Sequence, residues 1–341
     1  MNTKATIDDV ALHAGVSKAT VSRAFSHPEK VSPDTRRKVL SAAELLNFSI
    51  SRSPKILKSG RSYRVALLVG SNAIEWFTAR IIEGLNSVLR DIGYDLVIYP
   101  IGKVGDRAEF FNDLPIRGNT DAVIISSFDI SQEEADRLST MHVPVIGINI
   151  SEVDRFDAST SIDDNAGVRM IVKHLARLGH RNIAFMYREF TSNLQFSSFK
   201  RIPAFAKSCA DIPGMQSRII EIPAGDGTFD ATISELLMQD NAPTAICFHD
   251  DTMAIPLFVR LQRCGILVPD DISITGFDDA TYSAELGLTT VRQQPREIAA
   301  EIAHTALDLI EGRPVHNPHR TITPQFIVRE STAAPRNIAH L

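Results

Sequence analysis

Apolar positions recur every three to four residues near the start of the chain, which predicts three short helices within the first fifty residues. The first helix should begin after Thr6, because Asp9 stands three residues further on and completes the spacing of a capping box. Gly15 occupies a position where the backbone needs a positive φ, and Ser17 can then cap a second helix. This pattern indicates two helices joined by a tight turn.

A third helix is predicted from Ser32, because the next residues supply a proline for the first helical position and an acid for the first turn. Its apolar positions are Val39, Ala42, Ala43 and Leu46. Three helices of this length enclose a core only if they pack together. The sequence therefore predicts a helix-turn-helix head over residues 1–47, although two capped helices joined by a glycine turn also occur as plain structure.

The distribution of charge supports a DNA-binding role for this head. Residues 1–62 carry eleven Lys/Arg and five Asp/Glu, whereas the whole chain has a net charge of −5, so a basic head precedes an acidic remainder. A basic head suits contact with phosphates, and the outward positions of a helix-turn-helix reach base edges in the major groove. The residues that we expect to contact DNA are Thr6, Ser17, Lys18, Ala19, Thr20, Ser22, Arg23, Ser26, Lys30 and Ser32.

The helical periodicity lapses over residues 48–62, where polar and basic side chains predict a linker. Pro54 can open a short helix through Leu57, and Gly60 can end it. A helix of this length does not persist alone, so it would form only against a partner. An ordinary flexible tether is the alternative.

Over residues 63–334, short apolar runs alternate with amphipathic helical patterns. The runs are 65–69, 96–99, 122–125, 143–148, 183–186, 219–222, 245–248 and 272–275, and the helical patterns include 80–91, 166–178, 233–239 and 298–311. Alternation of this kind is typical of parallel sheets that helices cover on both faces. Eight strands in two successive sets predict two similar α/β lobes. Residues 335–341 remain as a tail.

Polar and aromatic residues follow several of the predicted strands. In parallel α/β sheets, ligands bind at the carboxyl ends of the strands, so a cleft between two lobes would collect these residues. Hydroxyl, amide and carboxylate groups beside aromatic rings suit a neutral polyhydroxylated ligand such as a sugar. The candidate effector-binding residues are Trp76, Phe77, Ser126, Asn149, His249 and Asp278. A purely structural role remains open for His249, and we expect Asp250 and Asp279 to cap the helices that follow them.

The sequence resembles the LacI/GalR (lac-repressor-type) family of bacterial transcription regulators along nearly its whole length. The resemblance rests on residues 6–11, 14–17, 20–23, 31–32 and 35–36 in the head, and on residues 120–125, 143–146, 164–167, 174–183, 269–273, 276–279 and 288–291 in the body. It implies a three-helix DNA-binding head with a hinge helix, followed by a two-lobed α/β domain like that of periplasmic binding proteins. It also implies that Arg201 and Asp278 bind the effector, and that Leu57 of paired hinge helices wedges between base steps in the minor groove.

Three departures from the family pattern affect these expectations. His249 stands where an asparagine is common, Ala204 replaces a glycine three residues after Arg201, and Pro54 stands where a good helix former is usual. We expect the class of pocket to be kept, whereas the identity of the ligand stays open.

We therefore expect a repressor that acts as a homodimer on a nearly palindromic operator, under the control of a small molecule that is a sugar or a sugar derivative. A regulator that depends on a corepressor of the nucleobase type is the alternative within the family. A sugar-binding transport component is the alternative from another class, but it would need an export signal where the head stands.

Several other classes of protein are disfavoured by what the sequence lacks. It contains no GxGxxG, GxxxxGK[ST], HExxH or GxSxG motif, and adjacent aspartates at a strand end point to opposite sides, so we do not expect catalysis. Cys209, Cys247 and Cys264 form no CxxC pair, which predicts buried, reduced thiols with no metal site and no cofactor. No apolar run approaches the ~20 residues of a membrane helix and no signal-peptide core is present, so we expect a cytoplasmic location.

Overall fold

The structure is a computed structural model. It describes residues 5–26, 28–46, 48, 61–70, 73–101, 105, 107–111, 119–189, 194–225 and 227–335. The chain divides into two compact units, Met1–Arg61 and Ser62–Leu341, which we call the head and the body. The predicted hinge helix through Leu57 lies outside the described residues.

The described part of the head contains α1 (Ile7–Ala14), α2 (Lys18–Ser26) and α3 (Pro33–Leu45), with a 3-10 turn at Pro28–Lys30. The first helix begins as predicted, because Thr6 Oγ1 accepts from the N–H of Asp9 at 3.4 Å and Asp9 Oδ2 accepts from the N–H of Thr6 at 2.7 Å. Gly15 ends this helix with φ at 68°, which confirms the predicted left-handed turn.

Ser17 and Ser32 cap the two later helices. Ser17 Oγ accepts from the N–H of Thr20 at 3.2 Å, and Ser32 Oγ accepts from the N–H of Thr35 at 3.3 Å. Apolar residues of all three helices meet in one small core, which contains Val10, Ala11, Val21, Ala24, Val39, Ala42 and Ala43. The three helices therefore fold as one unit, as the sequence predicts.

The body alternates strands and helices. Its elements include, in chain order, β1 (Arg64–Val69), α4 (Trp76–Leu89), β2 (Asp95–Pro100), β3 (Ala122–Ser126), α5 (Gln132–Ser139), β4 (Val145–Ile148), β5 (Ala158–Ile162), α6 (Asp164–Leu178), β6 (Asn182–Arg188), α7 (Arg201–Ala210), β7 (Gln216–Ile222), α8 (Thr228–Leu237), β8 (Ala245–Phe248), α9 (Asp251–Arg263), β9 (Ser273–Thr275), β10 (Thr290–Arg292), α10 (Pro295–Ile310), β11 (His319–Ile322) and β12 (Gln325–Ile327).

Two parallel sheets form the two lobes of the body. The first lobe has a six-stranded sheet in the order β11-β5-β4-β3-β1-β2, and the second has a four-stranded sheet in the order β7-β6-β8-β9. Neighbouring strands in both sheets run parallel. A separate antiparallel pair joins β10 and β12. The predicted two-lobed α/β fold is confirmed.

The sequence patterns missed four of the strands that the structure describes in the body. The strands β10 and β12 have three residues each, which is too short for a pattern of period two. The edge strand β11 is mostly exposed and so carries no apolar run. The strand β5 is buried, but small polar residues make up most of it. All four lack the run of large apolar residues on which the sequence reading depended.

The last long helix of the body, α10, packs against the first lobe although it follows the second lobe in the chain. Ile298 of α10 shares a buried core with Ile81 and Leu85 of α4. The two helices approach so closely that a Cβ atom on Gly84 would lie 2.1 Å from the carbonyl oxygen of Arg296. The first lobe is therefore completed by the C-terminal part of the chain.

The cysteines confirm the prediction only in part. Cys209 and Cys247 are buried, and burial raises the pKa of their thiols to about 11 and about 12. Cys264 is exposed because it follows the last turn of α9 at the surface, so its predicted burial is wrong. Within the described ranges, no helix is long and apolar enough to cross a bilayer.

Candidate functional site

The candidate effector residues of both lobes lie at the carboxyl ends of strands. Ser126 and Asn149 stand at the ends of β3 and β4 in the first lobe, and His249 and Asp278 follow β8 and β9 in the second. All four residues are buried. The parallel sheets therefore carry the predicted polar groups to their carboxyl edges, where such sheets bind ligands.

Arg201 begins α7 and is held on three sides. Its Nε donates to Asp164 Oδ1 at 2.7 Å, and its Nη1 donates to the carbonyl oxygen of His249 at 2.7 Å. Its guanidinium carbon lies 3.6 Å from the centre of the Phe277 ring. Arg201 and Asp164 are each 3% exposed, so their ion pair is shielded from water. Among the described residues Nη2 has no hydrogen-bond partner, which leaves it for a ligand.

Asp278 lies in a turn with an unusual backbone, since its φ is 130° and that of Asp279 is 57°. The N–H of Asp278 donates to the carbonyl oxygen of Val291 at 2.7 Å, and the N–H of Gln293 donates to the carbonyl oxygen of Asp278 at 3.1 Å. Gln293 Nε2 also donates to Asp278 Oδ1. β10 and Gln293, which directly follows it, thus fix both the backbone and the side chain of Asp278.

The surroundings of Asp278 disfavour its ionised form. Burial raises the pKa of this carboxyl group well above its ordinary value, Arg201 opposes that shift, and the charges of Asp251 and Asp250 add to it. A ligand hydroxyl that donates to the carboxylate would supply the stabilisation that the ion lacks. Asp278 can therefore exchange hydrogen bonds with a ligand hydroxyl group, which both donates and accepts.

His249 follows β8, and both of its ring nitrogens have protein partners. Nδ1 lies 3.2 Å from Asp250 Oδ2, and Nε2 lies 3.3 Å from the carbonyl oxygen of Ser198. Asp250 caps α9 as predicted, because its Oδ1 accepts from the N–H of Met253 at 3.0 Å. Burial acts to raise the pKa of Asp250, but the hydrogen bond and the charge of His249 outweigh burial and lower it. A ligand would therefore meet the His249 ring through its carbon atoms.

Asp279 does not cap a helix, and this prediction is wrong. Turns follow it, and its carboxylate pairs with Arg292 Nε at 2.6 Å and with Arg329 Nη2 at 2.7 Å. Arg329 Nη1 also donates to the carbonyl oxygen of Leu288 at 2.7 Å. These two arginines fix the turn that presents Asp278.

Asp251 is a second buried anchor of the same turn. Its carboxylate accepts from the N–H of Ala280 at 2.9 Å, from Ser283 Oγ at 2.6 Å and from Thr290 Oγ1 at 2.8 Å. A Cβ atom on Gly276 would lie 1.9 Å from Asp251 Oδ1, so the backbone directly after β9 can approach this carboxylate only through a glycine. Asp251 is therefore a structural residue.

Two candidates of the first lobe already make protein contacts. Asn149 has φ at 52°, and its Oδ1 accepts from the N–H of Ile162 at 3.2 Å, so the side chain ties β4 to β5. Ser126 Oγ lies 3.3 Å from Ser127 Oγ. The Asn149 amide nitrogen and the Ser126 hydroxyl are the groups with which these residues could meet a ligand.

Trp76 and Phe77 occupy the first turn of α4, and both are half-buried. Phe77 packs against the core of the first lobe, so part of its ring surface is already covered. Trp76 belongs to none of the core clusters among the described residues. Its ring is the better placed of the two to cover an apolar face of a ligand.

Two buried polar groups beside these residues were not predicted from the sequence. Within the part of the chain that the structure describes, Ser197 Oγ and Gln293 Oε1 are buried without a hydrogen-bond partner. The N–H of Ser197 donates to the carbonyl oxygen of Ser127 at 3.0 Å, which places Ser197 where the lobes meet. Gln293 follows a strand end, but β10 is too short to have signalled it. Unpaired polar groups in such positions suit contact with a ligand.

The predicted DNA-binding residues of α2 lie mostly at the surface. Lys18, Ala19, Ser22 and Arg23 are exposed, and Thr20 is half-buried. Lys18 Nζ lies 2.6 Å from Asp8 Oδ1 of α1, and both side chains are more than half exposed. The helix thus presents short and basic side chains, of the kinds that contact bases and phosphates.

The remaining predicted DNA contacts differ in how far the structure describes them. Thr6, Ser17 and Ser32 are exposed, and their hydroxyl groups also serve as helix caps. Lys30 is exposed. The side chain of Ser26 and the whole of Leu57 lie outside the described residues. All of these DNA contacts stay predictions.

Comparison with known proteins places the chain in a family. Residues 6–51 match the bacterial regulatory proteins of the lacI family, and residues 172–332 match a periplasmic binding protein-like domain. The HTH-type transcriptional repressor CytR of Escherichia coli (strain K12) is 30% identical over 341 residues, which cover 97% of this chain and 97% of CytR. The chain belongs to the LacI family.

Solved structures of other regulators share the fold of this LacI-family protein. The lac repressor dimer bound to operator and the anti-inducer ONPF has a TM-score of 0.78 at 24% identity, covering 97% of this chain and 100% of the repressor chain. The complex of the transcriptional regulator CelR with cellobiose has a TM-score of 0.66 at 26% identity, covering 96% of this chain and 99% of the CelR chain. This LacI-family protein is a DNA-binding transcriptional repressor, and the relatives compared with it are regulators rather than enzymes.

Proposed function

We propose that a hydroxyl-rich small molecule, a sugar or a sugar derivative, binds between the lobes of the body and controls the affinity of the head for its operator. The supporting observation is the set of buried polar groups near the carboxyl ends of the strands. Arg201 Nη2 and Gln293 Oε1 lack partners among the described residues, and Asp278 can exchange hydrogen bonds with a hydroxyl group. The half-buried ring of Trp76 can cover the C–H face of such a ligand. CelR, a relative that shares the fold, is solved with cellobiose.

Control of DNA binding follows from coupling between two sites in a homodimer. A ligand that contacts both lobes favours one arrangement of the lobes over another, and the paired hinge segments of two subunits would meet on DNA in only one arrangement. Effector and operator must then change each other's affinity by the same factor. The sign of that coupling separates an inducer from a corepressor, including one of the nucleobase type.

The DNA half of the proposal is tested by fluorescence anisotropy with a duplex from the promoter region of the protein's own gene. The logarithm of the binding constant should fall linearly with the logarithm of salt concentration, with a slope of about −0.9 for each phosphate contacted. Arg23→Ala should lose about 1–3 kcal/mol of discrimination between this duplex and a scrambled one if Arg23 reads a base. Binding that is absent or insensitive to salt would contradict the proposal.

The effector half is tested by a thermal-shift screen of sugars, with nucleobases included as the competing class. A ligand that raises the melting temperature should lose this effect in Asp278→Ala, while Asp278→Ala should keep the DNA affinity of the unliganded wild type. Adding the ligand to the anisotropy assay then gives the sign of the coupling. Equal ligand affinity in the wild type and in Asp278→Ala would remove Asp278 from the site.

A further inference from the structure

A short stretch of the chain between two elements of the second lobe is seated in the first lobe. β6 and α7, which flank it, supply residues to a buried core of the second lobe. Leu194 is nevertheless only 5% exposed and belongs to a buried core of the first lobe, and Phe196 packs against that same core. We call residues 194–197 the strap. It joins the lobes in addition to the chain segments that run between their sheets.

Backbone hydrogen bonds pair the strap with residues 127–129, which directly follow β3 of the first lobe. The N–H of Asp129 donates to the carbonyl oxygen of Gln195 at 3.1 Å, and the N–H of Ser197 donates to the carbonyl oxygen of Ser127 at 3.0 Å. These two bonds flank an isolated antiparallel bridge. The strap therefore adds a short length of strand to the first lobe.

The first-lobe side of this pairing is firmly held. The N–H of Ser127 donates to the carbonyl oxygen of Ile148 at 2.8 Å, which attaches it to the end of β4. Asp129 Oδ1 accepts from the N–H of Ser151 at 2.7 Å, and Arg107 Nη2 donates to the carbonyl oxygen of Asp129 at 3.1 Å. The seat thus belongs to the first lobe, and the strap is the part that can leave it.

Gly70, directly after β1, leaves the room that the side chains of the strap occupy. A Cβ atom on Gly70 would lie 2.6 Å from Phe196 Cε1 and 2.9 Å from Leu194 Cδ1. Both distances are shorter than those that Cβ atoms show in proteins, so a methyl group there would displace these two side chains. Gly70→Ala therefore disturbs the strap by a change outside it.

The strap leads into the candidate effector site within one turn of helix. Ser197–Lys200 form a 3-10 turn, which is about 8 Å long at about 2 Å per residue, and Arg201 begins α7 directly after it. Ser197 Oγ is buried without a hydrogen-bond partner among the described residues, and Arg201 is anchored to Asp164 of the second lobe. So short a connection fixes the spacing between a group seated in the first lobe and a group held in the second.

We propose that the strap is a latch between the lobes, and that Leu194 and Phe196 are positioning residues of the effector site. While they are seated, Ser197 and Arg201 stand at the spacing that the effector requires. The inference rests on the proposed function, because it concerns the same ligand site. If only molecules with a seated strap bind the effector, the apparent affinity falls in proportion to the seated fraction. A change that leaves one molecule in ten seated would weaken binding about tenfold and remove no contact to the ligand.

The latch also determines how a loss of the strap acts on DNA binding. When the lobes separate at this point, they must pull the strap from its seat or unwind the turn before Arg201. An effector that contacts Ser197 and Arg201 together stabilises the seated strap, so effector and strap favour the same arrangement of the lobes. Unseating the strap should therefore change operator affinity in the direction opposite to that produced by the effector.

Hydrogen exchange of the full-length protein without ligand, followed by mass spectrometry, tests the latch itself. Peptides that contain residues 127–129 and 194–197 should exchange about tenfold faster in Phe196→Ala and in Gly70→Ala, whereas peptides from β3 and β6 keep their wild-type rates. Met141→Ala is the matched control, because Met141 packs against the same core outside the strap and should leave the rates of both peptides unchanged.

Two results of the exchange experiment would overturn the latch. Wild-type rates in both strap variants would mean that Leu194 and Phe196 do not hold the strap in its seat. Faster exchange in peptides from the whole first lobe of both variants would make the strap an ordinary part of the core. Because Gly70→Ala leaves the strap's own sequence intact, it decides the question if Phe196→Ala does not fold.

Calorimetry tests the positioning role, with the sugar that raises the melting temperature of the wild type most in the thermal-shift screen as the probe. Phe196→Ala and Gly70→Ala should bind this sugar about tenfold more weakly, and Met141→Ala should bind it like the wild type. Phe196→Leu keeps an apolar side chain in the seat and should restore most of the affinity. Equal affinity for the sugar in all of these proteins would overturn the positioning role.

The anisotropy assay with the operator duplex tests the direction of the coupling. Phe196→Ala and Gly70→Ala without ligand should both shift operator affinity, and the shift should be opposite in sign to the one that the sugar causes in the wild type. A shift of the same sign as the sugar's would overturn the inference. If no sugar raises the melting temperature of the wild type, the proposed class of effector fails, while the exchange rates of the strap still decide whether it is a latch.

Discussion

The buried ion pair between Arg201 and Asp164 permits a quantitative prediction. Arg201→Met keeps an apolar chain over the Phe277 ring but removes the guanidinium group, which leaves the Asp164 carboxylate, in a residue 3% exposed, without its cation. Removing one partner of a buried pair costs about 3–5 kcal/mol, because the remaining charge stays out of water. In a body of roughly 280 residues, 1 kcal/mol corresponds to about 2 °C, so the melting temperature should fall by about 6–10 °C.

A double-mutant cycle with Asp164→Asn separates the ion pair from the other contacts of Arg201. The double variant contains neither charge. Its loss of unfolding free energy should therefore be smaller than the sum of the losses in the two single variants, by at least about 1 kcal/mol. The free energy of unfolding is measured by urea titration with circular dichroism. Arg137→Met is the control, because Arg137 pairs with Glu133 at the surface and should change stability by less than about 0.5 kcal/mol. The reasoning would be refuted if the losses of unfolding free energy in the two single variants simply added. It would also be refuted if Arg201→Met lost less than about 1 kcal/mol.

Three further predictions concern the head and the effector turn. Gly15→Ala should destabilise the head by about 1–2 kcal/mol, because its φ of 68° is unfavourable for a residue with a Cβ atom; equal melting of the head in both proteins would contradict this. Asp8→Asn should strengthen operator binding in the anisotropy assay, because it removes a negative charge beside Lys18, and stability should change by less than about 0.5 kcal/mol. Asp278 has a raised pKa in the folded protein. Deprotonation of Asp278 therefore lowers the stability of the folded protein as the pH rises through that pKa. Asp278→Asn should therefore raise the melting temperature at pH 7, with a gain that shrinks on acidification; a gain that does not depend on pH would rule this out.

The elements that the sequence predicts best are those with local signals. Thr6 with Asp9, Gly15 and Ser32 define helix ends through contacts within a few residues, and the structure contains each of those contacts. The parallel sheets also follow from local alternation of apolar runs and helices. The strand β11 was missed because its place at the sheet edge depends on pairing with β5, about 160 residues away.

The parts of the candidate site that the sequence missed depend on distant partners. Asp279 has the spacing of a cap, but arginines 13 and 50 residues further on take its carboxylate. Gln293 is a candidate effector-binding residue only because its Nε2 donates to Asp278 while its Oε1 has no hydrogen-bond partner among the described residues. Local patterns identify residue types at strand ends, whereas the tertiary fold decides which of their atoms remain unused.

The return of α10 and β11 to the first lobe bears on how the protein is made. Folding during synthesis generally proceeds from the N-terminus as the chain leaves the ribosome. The described helices of the head are synthesised early, but Ile81 and Leu85 of the first lobe pack against Ile298, which emerges more than two hundred residues later. Until then the face of α4 that carries Ile81 and Leu85 lacks the helix that covers it in the folded protein. A product that ends before α10 lacks the helix that completes the first lobe, so we expect it to keep this apolar face exposed.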